Sequence, residues 1–141
     1  MIPFARPWIT EEDKAAVLRV LAGPVLAHGP EAEAFEGEFA GFLGGGYCVA
    51  VSSCAAALHL AYLAHGIGPG DEVIAPAMTH CSTANMVEWT GADCVVVDCE
   101  PATGNVTADR IEQAITPRTK AIVIVHFVGI PCDMPAIRAL A

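Results

Sequence analysis

From Tyr47 onward the chain alternates short apolar runs with stretches of helical spacing, and this alternation limits its fold more than any other feature. The runs Tyr47–Val51, Glu72–Ala75, Cys94–Asp98 and Lys120–Val125 have strand length. Between and after them lie predicted helices: Cys54–His65, about Cys81 to Trp89, Thr107–Ala114, and one starting near Asp133. Ile67-Gly68-Pro69-Gly70-Asp71 and Glu100-Pro101-Ala102-Thr103-Gly104 read as turn and loop. This β-α-β-α order predicts an α/β architecture: a mostly parallel sheet with flanking helices and right-handed crossovers. Ligands of such sheets gather beyond the carboxyl ends of the strands. Ser52, Ser53, Thr79, His80, Asp98 and His126 all stand at or near those ends.

The first 45 residues read differently. Thr10 is the expected N-cap of a helix with Glu11, Glu12 and Asp13 in its first turn, followed by an apolar stripe of Val17, Leu18 and Leu21. Gly23-Pro24 ends it, and Val25 to Pro30 reads as a loop or a short extended piece. A second amphipathic helix, Glu31–Leu43, carries Phe35, Phe39 and Phe42 at helical spacing, the pattern of core residues. Gly44-Gly45-Gly46 breaks it. That triplet precedes a strand, so it is not a dinucleotide-binding fingerprint. The expected organisation is a helical segment over 1–45 and the start of an α/β domain over 46–141.

Composition excludes several classes of partner. Acidic residues outnumber basic ones, 16 to 7, giving a net charge of -9. That balance argues against a nucleic-acid footprint and against an anionic membrane surface. No apolar run approaches the roughly 20 residues of a membrane span. Met1 to Arg6 has no long apolar core, so no signal peptide is read and the cytoplasm is the expected compartment. The six cysteines, Cys48, Cys54, Cys81, Cys94, Cys99 and Cys132, form no C-x-x-C pair and read as small buried thiols; no metal site is expected. The chain is nonetheless 54% hydrophobic, with a mean hydropathy of +0.49. A chain so apolar with no membrane segment is expected to bury surface against a partner subunit or further sequence.

The chemistry concentrates at one turn. Val49-Ala50-Val51 runs into Ser52-Ser53 and then into the alanine-rich stretch from Cys54. The first N–H groups of a helix lack partners and carry the positive end of its dipole, so such a turn is a seat for phosphate. Serine is also a common N-cap, and most strand-to-helix turns bind nothing; taken alone, this one reads as an ordinary cap. Asp98 reads as a loop cap, His126 as a hydrogen-bonded core histidine, Trp89 as packing between helix and sheet, and Asn85 as a bond to a nearby loop.

Several segments in order resemble the DegT/DnrJ/StrS family of pyridoxal-phosphate-dependent sugar aminotransferases. They are Ser52-Ser53-Cys54-Ala55-Ala56-Ala57-Leu58-His59-Leu60, Gly66 to Ile74, and Pro76-Ala77-Met78-Thr79-His80 with Thr83-Ala84-Asn85. Ile115 to Ile122, and Val125-His126-Phe127-Val128-Gly129 with Asp133-Met134, agree as well. So do Ile2-Pro3, Ile9 to Asp13, and Gly29-Pro30 ahead of Phe35-Glu36. The resemblance covers nearly the whole chain.

It implies part of the large domain of a type I aminotransferase fold and the cofactor pyridoxal 5'-phosphate. The implied reaction transfers an amino group from an amino acid, commonly glutamate, to a keto sugar linked to a nucleotide. A homodimer with its sites near the subunit boundary is implied too. By position, Ser53, Cys54 and Ala55 match the family's phosphate turn, and His80 matches its ring-stacking residue. The family pattern in that turn is Ser-Gly-Thr, so the chain keeps the backbone donors and lacks the hydroxyl at Ala55. The family's Schiff-base lysine and pyridine-nitrogen aspartate fall beyond Ala141. Lys14 and Lys120, the only lysines, match neither, so no catalytic residue is expected here. The last helix is expected to run on to Ala141, as in the N-terminal part of a longer protein. Three readings follow: that part of an aminotransferase, of a related sugar dehydratase with the lysine replaced, or a truncated non-catalytic chain.

Overall fold

The computed structural model describes residues 5–141, so Ile2-Pro3 of the resemblance lies outside the described residues. The chain divides into two compact units, with the boundary between Ala50 and Val51. The second unit is built around β1 (Glu72–Pro76), every residue of which is buried. β2 (Asp93–Val97) lies on one side of β1 and β3 (Thr119–Ile122) on the other, and both pair with it in parallel. A central parallel strand is covered on both faces, and that is why Glu72-Val73-Ile74-Ala75-Pro76 is almost continuously apolar.

Side chains alternate across the pleat and divide the core in two. Val73 faces α3 (Cys54–Ala64) and α4 (Ser82–Glu88), in a cluster with Tyr62, Ile67, Met86, Val87 and Ala92. Ile74 faces the opposite layer, α5 (Ala108–Ala114) and α6 (Met134–Arg138), among Val97, Val106, Ile111, Cys132 and Ile137. The result is a helix–sheet–helix sandwich, the expected α/β architecture. Full burial of side chains such as Ile74 and Ile111 contributes about 1.5–3 kcal/mol each.

Local chemistry sets the helix ends. Ser53 caps α3, its Oγ accepting from Ala56 N at 3.1 Å. At the other end Gly66, at φ 69°, lets Ile67 N reach Tyr62 O at 3.0 Å and Gly66 N reach Leu63 O at 3.0 Å. Ile67 packs in the same cluster as Tyr62, completing a Schellman motif. The amino edge of the sheet is tied by one charge cluster. Arg118 pairs with Glu72 of β1 and, at 2.8 Å, with Asp93 of β2, while Thr116 donates to Glu72 at 2.5 Å.

The first unit holds α1 (Glu11–Leu21) and α2 (Pro30–Phe42). Thr10 and Asp13 form a full capping box, with Thr10 N donating to Asp13 Oδ2 at 2.7 Å and Asp13 N to Thr10 Oγ1 at 3.2 Å. The Thr10 N–H and, at 2.8 Å, the Thr10 hydroxyl both donate to the Asp13 carboxylate and lower its pKa. Arg19 of α1 pairs with Glu31 of α2 at 2.9 Å. Ala40 is the only buried residue among residues 5–50.

Several expectations are corrected. Residues 47–51 form no strand: no described strand offers them a ladder, and Ala50 N donates to the Glu36 carboxylate instead, at 2.7 Å. Phe35, Phe39 and Phe42 are exposed, Phe42 by 84%, and stack on one another at 5.8 and 6.4 Å rather than in a core. β3 stops at Ile122, not Val125. After Val123 N bonds to Ile74 O at 2.8 Å, the alternation of a parallel ladder assigns the next donor to Pro76, which has no N–H. Trp89 is 72% exposed and meets the His59 ring edge-on at 6.0 Å, so it does not seal helix against sheet. Of the six cysteines only Cys132 is buried; Cys54 and Cys81 are exposed. α6 ends at Arg138 with Ala139 as its cap, short of Ala141.

Candidate functional site

Because all three strands are parallel, their carboxyl ends share one edge, and the loops leaving β1, β2 and β3 start there. α3 hands the chain through residues 65–71 to the amino end of β1, so its own first turn lies toward the carboxyl side. That turn contains Ser53, Cys54 and Ala55. Ser53 has extended backbone, φ -165° and ψ 160°, while Cys54 and Ala55 open the helix, where their N–H groups have no intrahelical acceptor. The Ser53 Oγ accepts from Ala56 N and still carries its own proton to donate. Two amides and one hydroxyl thus remain for an anion at the positive end of an 11-residue helix. This donor set suits the phosphate of pyridoxal phosphate, and it needs no basic side chain in a chain of net charge -9.

His80 lies in the loop between β1 and α4 and is exposed. Its Nδ1 accepts from Ser82 N at 3.2 Å and lies 2.9 Å from Ser82 Oγ. Those bonds pin one edge of the ring and leave its faces open. Thr79 meets Thr83 hydroxyl to hydroxyl at 2.7 Å and fixes the same loop. The main chain there bonds back to β2 and the residues after it, Ala77 N to Val97 O at 2.8 Å and Met78 N to Cys99 Sγ at 3.4 Å. The loop carrying His80 is therefore a held surface rather than a loose one.

The other carboxyl-edge residues have local partners. Asp98 accepts from Cys99 N at 2.9 Å and pairs with Arg110 at 3.1 Å, and Arg110 also donates to Cys99 O at 2.9 Å. Asp98 and Arg110 line an open concavity of about 630 Å³ beside β2 and α5, in which their charges are already spent on each other. His126 accepts from Cys132 N, as a hydrogen-bonded histidine should, but it is exposed, not core. Asn85 is exposed on α4. Sequence reasoning missed Asn105, which is 6% exposed and bonds to residues near 127 and 130. After Thr103-Gly104 it looks like any turn residue, and no local pattern marks so distant a partner.

Burial raises the pKa of the Cys94 and Cys132 thiols, so both stay protonated near neutral pH. Burial also raises that of Tyr62, with smaller contributions from Cys94 and Cys54. Among the described residues no group of three or more His, Cys, Asp or Glu could hold a metal ion. No described helix is long and apolar enough to cross a membrane. Lys120 is the second residue of β3, near the amino edge and away from Ser53 and His80, and Lys14 pairs with Glu11 at 2.6 Å on α1.

Comparison with known proteins agrees with this architecture. The chain is 49% identical to the spore coat polysaccharide biosynthesis protein SpsC of Bacillus subtilis over 140 residues, which are 99% of this chain and 36% of SpsC. The putative sugar aminotransferase Spr1654 of Streptococcus pneumoniae, solved in its PMP form, superposes with a TM-score of 0.93 at 35% identity, over 99% of this chain and 35% of that one. DesV of S. venezuelae, solved with a ketimine intermediate, gives 0.87 at 44% identity, over 92% of this chain and 35% of that one. The chain thus spans little more than a third of the length of these relatives. Residues 7–141 match the model of the DegT/DnrJ/EryC1/StrS aminotransferase family, and the chain belongs to that family.

Proposed function

We propose that this chain supplies the phosphate seat and one face of the cofactor pocket in a pyridoxal-phosphate-dependent sugar aminotransferase. The observation that carries the reading is the start of α3, where two free amides and the Ser53 hydroxyl offer three donors at the positive end of a helix. The likeness to Spr1654, solved in PLP and PMP forms, supports the choice of anion. Bound there, pyridoxal phosphate supplies the electron sink for amino transfer. Ser53, Cys54 and Ala55 hold and orient the phosphate, and His80 offers a ring for the cofactor face. The donor is an amino acid, glutamate, and the acceptor a keto sugar linked to a nucleotide, in the service of polysaccharide biosynthesis as the name of SpsC suggests.

Lys120 stands at the amino edge of the sheet and Lys14 on α1, and neither matches the family's Schiff-base lysine; in this reading that lysine and the pyridine-nitrogen aspartate come from further sequence of the full-length protein. In this reading residues 1–45 are a helical segment and 46–141 begin the cofactor-binding domain. The full-length protein works in the cytoplasm as a homodimer. The exposed Phe35, Phe39 and Phe42 of α2 and Val17, Leu18 and Leu21 of α1 are surface that such an assembly covers.

The test is direct. Incubate the full-length protein with pyridoxal phosphate, glutamate and a nucleotide-linked keto sugar, and follow 2-oxoglutarate and amino sugar by mass spectrometry. Equal amounts of both are expected. Cofactor bound with loss of water from the sugar and no amino sugar points to a dehydratase; no cofactor bound at all sinks the pocket.

A further inference from the structure

Beyond β3 the chain enters a turn that is clamped from several sides. His126 opens it, and the single 3-10 turn Phe127–Gly129 follows, with Val128 at φ 47° and Gly129 at φ 84°. A β-branched residue in the left-handed region is strained and persists only where its surroundings over-determine it. Here they do. Asn105 spans the turn with both ends of its amide: Oδ1 accepts from Phe127 N and Nδ2 donates to Ile130 O, each at 2.9 Å. Gly104, at φ 73°, lets the Phe127 ring lie against bare backbone; a Cβ there would come within 2.6 Å of the ring. Cys132 N donates to His126 Nδ1 at 3.1 Å, and Cys132 Sγ donates to Val125 O at 3.4 Å.

The clamp fixes the chemistry of His126. A neutral imidazole whose Nδ1 accepts from a backbone amide carries its proton on Nε2. No described residue takes that Nε2, and the side chain is exposed. The ring is a donor with one free end. β3 is the parallel neighbour of β1, about 4.8 Å away. His126 therefore follows the strand beside the one that leads to His80, whose Nδ1 is held by a backbone amide in the same way.

We propose that His126 is a second imidazole of the cofactor pocket. Its Nε2–H donates to an oxygen on the edge of the pyridine ring whose face lies against His80, and Asn105 and Cys132 act as positioning residues for it. The proposal rests on the aminotransferase reading above.

The test uses the full-length apo protein titrated with pyridoxal phosphate. His126→Asn keeps an acceptor near the Nδ1 position for Cys132 N–H but loses the distal donor. His126→Gln keeps a distal N–H. His126→Asn should loosen the cofactor about tenfold with the melting temperature of the apo protein unchanged, while His126→Gln stays within about threefold of wild type. In the wild-type protein the ¹⁵N resonance of His126 Nε2 should move when the cofactor saturates. Equal affinity of His126→Asn and wild type, or an unmoved Nε2 resonance, overturns the proposal; the resonance alone decides if the variant does not fold. If the wild-type protein binds no pyridoxal phosphate, the aminotransferase reading falls and takes this one with it. If it binds and His126→Asn matches it, only the role of His126 falls.

Discussion

Ser53 caps α3 and has a second task in the proposed pocket, and a pair of substitutions can separate the two. Its Oγ accepts from Ala56 N at 3.1 Å and so caps α3, and in the proposed pocket its proton goes to the cofactor phosphate. Ser53→Ala removes both. The lost cap should cost about 1 kcal/mol of stability without cofactor. The lost bond to a charged phosphate should cost a further 1.5–3 kcal/mol of binding, roughly 10- to 150-fold in Kd. Ser53→Asp behaves oppositely in the two assays. A carboxylate is as good an N-cap and sits well with the helix dipole, so the apo protein should be as stable as wild type or better by about 0.3–1 kcal/mol. The same carboxylate stands where the phosphate must lie. Two unit charges about 4 Å apart at an effective dielectric of about 20 repel by about 4 kcal/mol, so affinity should fall roughly a thousandfold.

Thermal melting of the apo full-length protein reads the first effect, and equilibrium titration with pyridoxal phosphate, followed by absorbance, reads the second. The expected order of stability is Asp, Ser, Ala; the expected order of affinity is Ser, Ala, Asp. If Ser53→Asp binds the cofactor as tightly as wild type, the start of α3 is a cap and nothing more, and the phosphate seat lies elsewhere.

Other perturbations probe other parts of the structure. His80→Phe should keep more activity than His80→Ala in the full-length protein, since a ring is what the cofactor face needs; wild-type activity in the alanine variant returns His80 to the loop. Arg118→Met strands the Glu72 carboxylate, whose side chain is 6% exposed, and should cost about 2–4 kcal/mol, the low side of a broken buried pair because Arg118 itself is half exposed. The same change in a Glu72→Gln background should cost less than about 1 kcal/mol, and equal costs in chemical denaturation would show the two groups uncoupled. Sedimentation of the full-length protein should show a dimer, and an active, cofactor-loaded monomer at micromolar concentration would refute that. The 141 residues alone should give no amino transfer above free pyridoxal phosphate, because neither Lys14 nor Lys120 matches the family's Schiff-base lysine.

The sequence was most legible where local chemistry and burial agree. Thr10 with Asp13, Ser53, Thr107 and Asp133 all start helices as their types suggest, and Glu72–Pro76 is as buried as its apolar run implies. Periodicity failed where it was read as burial. Phe35, Phe39 and Phe42 do share a helix face, yet a shared face says nothing about what covers it, and in this unit nothing described does. Tyr47–Val51 has strand composition, but a strand exists only with a neighbour, and its partner is not encoded within the segment. The end of β3 depended on a proline in a different strand. In the candidate site the helix cap was readable from Ser53, whereas the clamp on His126 was not, because Asn105 acts on residues more than twenty positions away and through its amide alone.

The proposed seat reconciles an acidic chain with an anionic ligand. The proposed site draws on peptide N–H groups, which carry no formal charge and are not paired off by neighbouring carboxylates. Three carboxylates at the strand ends are already paired: Asp98 with Arg110 at the carboxyl edge, and Glu72 and Asp93 with Arg118 at the amino edge. Replacing the family's Ser-Gly-Thr by Ser53-Cys54-Ala55 removes a hydroxyl but no amide, so the dipolar part of the seat survives intact. In the proposed pocket a smaller donor set places more of the binding on Ser53 and on the His80 ring. On the proposed reading, the geometry of His80 and His126, each held at Nδ1 by a backbone amide, then matters more than it would in a relative with the full turn.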